Sequence, residues 1–282
     1  QPDKPVGRGK KLGMPPVKEL ALKYDIPVYQ PIKARDEEFV ATLKELNPDI
    51  IVVVAFGQIL PKSILDIPKF GCINVHVSLL PKYRGAAPIN WVIINGEEKT
   101  GVTIMKTDIG MDTGDMILKQ EVKIEEEDSV SSLFNKLSIV GADLLLKALS
   151  QIENGTAIFE KQNNEQSSYY PMLKKENAVI DFSKSSKEII NFIRGLEEWP
   201  TAYAKLGEEN LKIYKAKIVN QSEDYSHMQN GTIIECSGKK GVLIKTLDGV
   251  LSLELVQLGS GKKMDGKSFG NGHKDLQGKV LS

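Results

Sequence analysis

"GCINVHVSLLPKYRGAAP", residues 71–88, decides how this chain is read. Its first half, "CINVHV", is an apolar run interrupted by only two polar side chains, the pattern of a strand buried on both faces as in a parallel sheet. Those two, Asn74 and His76, stand two residues apart and so share a face where the strand ends. A loop whose path is set by Pro81, Arg84, Gly85 and Pro88 follows. In open α/β sheets ligands bind outside the carboxyl ends of the strands, which makes this exit a candidate site.

The flanking sequence supports an α/β reading. "PPVKELALKYDIP" (15–27) predicts a helix started by its prolines and stopped at Ile26 and Pro27, with a short strand "VYQ" (28–30) after it. "ARDEEFVATLKELNPDI" (34–50) carries Phe39, Leu43 and Leu46 at helical spacing. "IIVVVAF" (50–56) then reads as a fully buried strand with its own exit, "VAFGQIL". A short helix after Pro61 leads into "CINVHV", and another after Ala86 carries Trp91 and Ile94 to a stop at Asn95 and Gly96. Strands alternating with helices imply a parallel sheet with helices on both faces. "GVTIMKT" (101–107) and "DMILKQEVKI" (115–124) predict two further strands joined by the polar turn "DIGMDTG". A long helix over 129–154, capped by Asp128 or Ser129 and ended by Gly155, closes a domain spanning 1–160. Residues 161–200 read as a polar linker plus an interdomain helix, "SSKEIINFIRGL". From 201 to 282 short strands at regular spacing predict a small β-barrel of the OB type.

Composition narrows the function classes. Basic and acidic residues number 37 each, so no global charge argues for nucleic acid or a membrane, and a polyanion would have to be met by local patches. Cys72 and Cys236 lie far apart without CxxC spacing, which argues against a disulfide framework and a structural zinc site and suits free buried thiols in a reducing cytosol. No apolar run is long enough to span a bilayer, and the opening "QPDKPVGRGKK" lacks a signal peptide's apolar core, so a cytoplasmic location without membrane partners is expected.

A lone histidine is more often a satisfied structural residue than a functional one. Here Asn74 supplies an amide donor on the same face, the next loop is conformationally fixed, and a carboxylate-bearing turn, "GMDTGD", lies downstream. Imidazole, amide donor and carboxylate together suit a reaction that passes through an oxyanion. Ser78 lacks the GxSxG setting of a nucleophile elbow, so the nucleophile is expected to belong to the substrate. Asp112 and Asp115 remain equal candidates for the carboxylate on these grounds, each readable as a turn residue bonding its own backbone.

"GCINVHVSLLPKYRGAAPINW" followed by "GVTIMKTDIGMDTGD" resembles the 10-formyltetrahydrofolate-dependent formyltransferases, and the resemblance covers nearly the whole chain. It implies a Rossmann-like catalytic domain and a C-terminal OB-like barrel that contacts tRNA. It also implies a triad of Asn74, His76 and Asp112, with no metal, and an acceptor that is the amino group of methionine on initiator tRNA. Asn74 and a protonated His76 would donate to the oxyanion, while Asp112 would hold the imidazole and help relay the amine proton. The folate would lie against Phe56, Gly57, Gln58, Ile59 and Leu60, where Gly57 lets backbone approach a flat ring, and against Ser78, Leu79, Leu80 and Pro81. The basic loop with Lys4, Arg8, Lys10 and Lys11 resembles one that enters the tRNA acceptor stem, with Arg8 at its tip; read alone, a basic Gly/Pro loop is ordinary solvated surface. A monomer is expected.

Two features depart from the resemblance. The family opens with a strand, a glycine turn, a helix and a second strand ahead of this loop, so a longer natural protein is expected, and Val77 replaces a smaller residue. Two other readings compete. Formyl transfer to a sugar amine or another small amine would share the triad, but leaves "GRGKK" and the barrel lysines without a role. A noncatalytic nucleic-acid-binding module would use the loop and barrel, but leaves the pairing of Asn74 and His76 with "MDTGD" unexplained.

Overall fold

The computed structural model describes residues 1–6, 11–220 and 223–282. Two compact units alternate along the chain: 1–76, 103–119 and 144–163 form the first, and 77–102, 120–143 and 164–282 the second. None of the described helices is long and apolar enough to cross a membrane.

In the first unit, β1 (Lys4–Val6) and β2 (Lys11–Gly13) pair antiparallel. Helix α1 (Pro16–Lys23) has proline in its first turn and buries none of its side chains. Residues 28–30, expected as a strand, form none. Pro27 and Pro31 bracket them without ladder donors, and the Gln30 side chain instead donates to Asp3 and accepts from Lys18. Helix α2 (Glu37–Leu46) stops where Asn47 turns left-handed at φ 45°. Its Phe39, Val40 and Leu43 pack with Ala34 and with Ile64 of α3 (Lys62–Leu65).

The sheet that carries the site has strand order β3-β4-β6-β7, with β3 (Ile51–Val53), β4 (Cys72–His76), β6 (Lys99–Lys106) and β7 (Met116–Lys123). Helix α3 provides the crossover that makes β3 and β4 parallel, whereas β4 and β6 run antiparallel. The sheet is therefore mixed, with the expected parallel pairing at β3 and β4 and an antiparallel strand added beside β4. Because β3 is the edge strand of this order, Val52 and the following Val54, expected to be buried, are exposed.

In the second unit, β5 (Arg84–Gly85) pairs in parallel with β8 (Tyr169–Tyr170). A Cβ on Gly85 would lie 2.2 Å from the Tyr170 carbonyl oxygen, so only glycine permits this approach. The loop between β4 and α4 (Pro88–Ile94) is braced here: Tyr83, left-handed at φ 59°, stacks on Tyr170 at 4.7 Å, and buried Arg84 donates to Asn164 at 2.8 Å. Helix α5 (Val130–Glu153) begins beside buried Asp128, which accepts from the Glu125 amide, the Ser132 hydroxyl and Lys136.

The C-terminal part is a curled antiparallel sheet in the order β11-β12-β13-β10-β9, with β14 added to β13. Its strands are β9 (Tyr203–Leu206), β10 (Glu209–Ile218), β11 (Ile233–Ser237), β12 (Gly241–Lys245), β13 (Val250–Leu258) and β14 (Met264–Asp265). Register shifts between Ile213 and Ala216 interrupt the β10–β13 ladder, the irregularity by which a strand bends to curl a sheet. Helix α6 (Ser186–Gly195), opened by a Ser185–Glu188 capping box, packs Ile189 and Ile193 against Leu211, Ile213 and Leu253. Helix α7 (Gly266–Gly272) was not expected: three glycines in "GKSFGNG" hide it, and it forms because Asp265 caps its amides and Phe269 is buried in the same core.

Candidate active site

Asn74 and His76 leave β4 on one face, as their spacing requires. Asn74 pairs with Val53 on one side and Met105 on the other, while His76 stands opposite Thr103. The imidazole is 6% exposed, and Nδ1 lies 3.6 Å from Asp112 Oδ1. At that separation the two groups form an ion pair when the imidazole is protonated. Among the described residues the half-buried Asn74 side chain has no hydrogen-bond partner, so its amide can donate to a ligand. Beneath them, burial pushes the Cys72 thiol up to about 11, only partly opposed by Lys106, which leaves it inert beside the site.

The carboxylate is Asp112, not Asp115, and the turn between β6 and β7 explains why. Asp108 organises it by accepting from the Gly110 amide at 3.0 Å and from the Thr113 hydroxyl at 2.7 Å. Asp112 sits in the left-handed region at φ 55°, a conformation aspartate tolerates better than most residues. Gly114 passes so close to β6 that a Cβ would lie 1.7 Å from the Lys106 carbonyl oxygen. Asp115 enters the ladder through its backbone, its carbonyl accepting from the Lys106 amide at 2.8 Å, while it is Asp112 whose carboxylate meets the imidazole. A further residue completes the turn. Gln162 donates through Nε2 to the carbonyls of both Asp112, at 2.8 Å, and Gly114, at 2.7 Å. Sequence reasoning missed it, since it lies in the polar run "EKQNNEQ" and reaches the turn only because Glu160 bridges Met116.

The residues expected to hold folate divide by location. Phe56 and Leu60 pack on the small core around Ile64, Gly57 is left-handed at φ 72°, and Ile59 is 78% exposed. Gln58 accepts from the Ala34 amide at 2.8 Å and donates to the Ile32 carbonyl, tying the exit of β3 to residues 32–34. This exit leaves the strand next to the one that carries Asn74 and His76. Residues 78–81 continue directly from His76 in the second unit: Ser78 is fully buried and donates to the Lys82 carbonyl, and Leu80 is buried next to the cis Leu80–Pro81 bond. Of the residues expected to meet tRNA, Lys4 is exposed on β1 and Lys11 begins β2, while Arg8 and Lys10 lie outside the described residues.

A buried imidazole, a half-buried amide and a carboxylate on a braced turn are the kinds of group that acyl transfer to a substrate-borne nucleophile uses. The sequence pattern of the formyl transferase family matches residues 1–149, and that of the formyl transferase C-terminal domain matches residues 172–274. The chain belongs to the formyl transferase family. A methionyl-tRNA formyltransferase of Clostridioides difficile is 58% identical over 94% of this chain and 84% of that protein. One of Clostridium beijerinckii is 50% identical over 100% of this chain and 90% of its own. Among solved structures, an N-formyltransferase of Helicobacter canadensis in complex with folinic acid and dTDP-3-aminofucose is 25% identical, with a TM-score of 0.65 over 89% of this chain and 86% of that one.

Proposed function

We propose that Asn74, His76 and Asp112 transfer the formyl group of 10-formyltetrahydrofolate to the α-amino group of methionine esterified to initiator tRNA. The observation that carries this reading is the meeting of Asp112 with His76 on the face that Asn74 shares, within a chain 58% identical to a methionyl-tRNA formyltransferase. The amine attacks the formyl carbon and gives a tetrahedral centre bearing an oxyanion. Asn74 and the protonated form of His76 donate to that oxygen. Asp112 orients the imidazole through Nδ1 and accepts the proton the amine releases, directly or through water. The bond from the formyl carbon to folate N10 then breaks, N10 takes up a proton, and tetrahydrofolate leaves as the new amide forms.

The folate meets Phe56, Gly57, Gln58, Ile59 and Leu60, which follow β3, and Ser78, Leu79, Leu80 and Pro81, which follow β4. Fixed backbone suits a flat ring that is recognised by its edge donors and acceptors. Residues 1–160 form the catalytic domain, and Lys4, Arg8, Lys10 and Lys11 neutralise acceptor-stem phosphates, with the barrel of 201–282 adding further contacts. The enzyme works as a monomer in the cytoplasm, where translation starts. A sugar amine is the weaker acceptor reading, because the relative solved with an aminofucose nucleotide is only 25% identical. Competing the two acceptors decides between them. With labelled 10-formyltetrahydrofolate, label should appear on methionyl-tRNA and not on a nucleotide-linked amino sugar, and the opposite distribution would overturn the assignment.

A further inference from the structure

The turn that carries Asp112 is held from within by Asp108 and from outside by Gln162. Asp112 is left-handed, its neighbours Met111 and Ile109 are exposed, and Asp108 accepts from the Gly110 amide and the Thr113 hydroxyl. A side chain from outside the turn also holds it. Gln162 lies 50 residues away in sequence, and its single amide nitrogen donates to the carbonyls on both sides of Thr113. Both hydrogens of the amide point into the turn, so the group acts as a two-point clamp on the backbone that sets the Asp112 carboxylate 3.6 Å from His76. Its own position is fixed by the reciprocal bonds of Met116 and Glu160, each 2.8 Å, two residues before it.

Resting on the catalytic reading above, we infer that Gln162 is a positioning residue for the reaction: it touches neither folate nor amine, and acts by holding Asp112 against His76. A misplacement of about 1 Å in a catalytic group can cost roughly 100-fold in rate. Gln162→Met keeps the length and volume of the side chain and removes both donors. It should lower kcat by up to about 100-fold while the KM values for 10-formyltetrahydrofolate and methionyl-tRNA stay within about twofold.

A purely structural residue would slow every background alike, so the deciding measurement is a double-mutant cycle with Asp112→Ala. In the Asp112→Ala chain there is no carboxylate left to place, and adding Gln162→Met should change kcat by less than about twofold. Equal losses in the two backgrounds overturn the inference. If Gln162→Met does not fold by circular dichroism, Gln162→Glu, which is isosteric and presents only acceptors to the two carbonyls, replaces it with the same expected pattern. Should Asp112→Ala match the parent in activity, the catalytic reading falls and the inference with it; should Asp112→Ala be slow while Gln162→Met is not, the inference alone falls.

Discussion

Among single residues, Asn74 and His76 carry different burdens. His76 is buried and faces a carboxylate, whereas Asn74 keeps its amide without a protein partner among the described residues. Asn74→Ala should therefore fold normally and lower kcat by about 100- to 1000-fold, the usual cost of one oxyanion donor. Initial rates at saturating folate, alongside an unchanged melting temperature, check this. The pairing of Asn74 with His76 was legible because a strand has period two and polar interruptions of an apolar run are conspicuous. Asp112 was legible only through the family resemblance. Nothing in "GMDTGD" tells Asp112 from Asp115 until a left-handed residue and the Gly114–Lys106 approach turn one carboxylate toward the imidazole. Gln162 was invisible, because a side chain that bonds backbone carbonyls leaves no periodic trace.

At the scale of elements, two structures near the site make separate predictions. Gly114→Ala would drive a methyl into the Lys106 carbonyl, so the turn must shift. The variant should lose about 1–3 kcal/mol in urea unfolding and at least about tenfold in kcat, and a silent substitution would mean the turn is not fixed as described. The start of α5 predicts a pH dependence. Burial by itself would raise the Asp128 carboxyl, but hydrogen bonds from Lys136, Ser132 and the Glu125 amide outweigh it and hold the group below its ordinary 3.8. A lowered folded value contributes stability above the unfolded value, which disappears as pH falls through the folded one. Urea unfolding of the parent should thus weaken below about pH 4 more steeply than that of Asp128→Asn, which should already be less stable at pH 7. Strands and long helices were legible where periodicity was clean, as in β4, β6 and α5. It failed where tertiary pairing decides the outcome: prolines kept residues 28–30 out of a strand, an edge position exposed β3, and glycines masked α7.

At the scale of the whole molecule, the balance of 37 basic and 37 acidic residues hides any local polarity that an RNA partner needs. The alternation of the two compact units along the chain was hidden too, since composition changes only once, near residue 160, while pairings such as β5 with β8 join distant segments. If Lys4, Arg8, Lys10 and Lys11 meet phosphate, changing all four to alanine should raise KM for methionyl-tRNA, flatten its rise with salt and leave KM for the folate unchanged. A KM unchanged at every salt concentration would remove that loop from the RNA surface. On the proposed function, this fold moves a formyl group through His76. The most direct test follows labelled formyl from 10-formyltetrahydrofolate to methionine on initiator tRNA, with the parent chain and His76→Ala compared at saturating substrates. Transfer by the parent and a fall of at least about 100-fold in the variant are expected, with charged tRNA still bound. Equal transfer by both chains, or binding of charged tRNA without transfer by either, would contradict the proposed function.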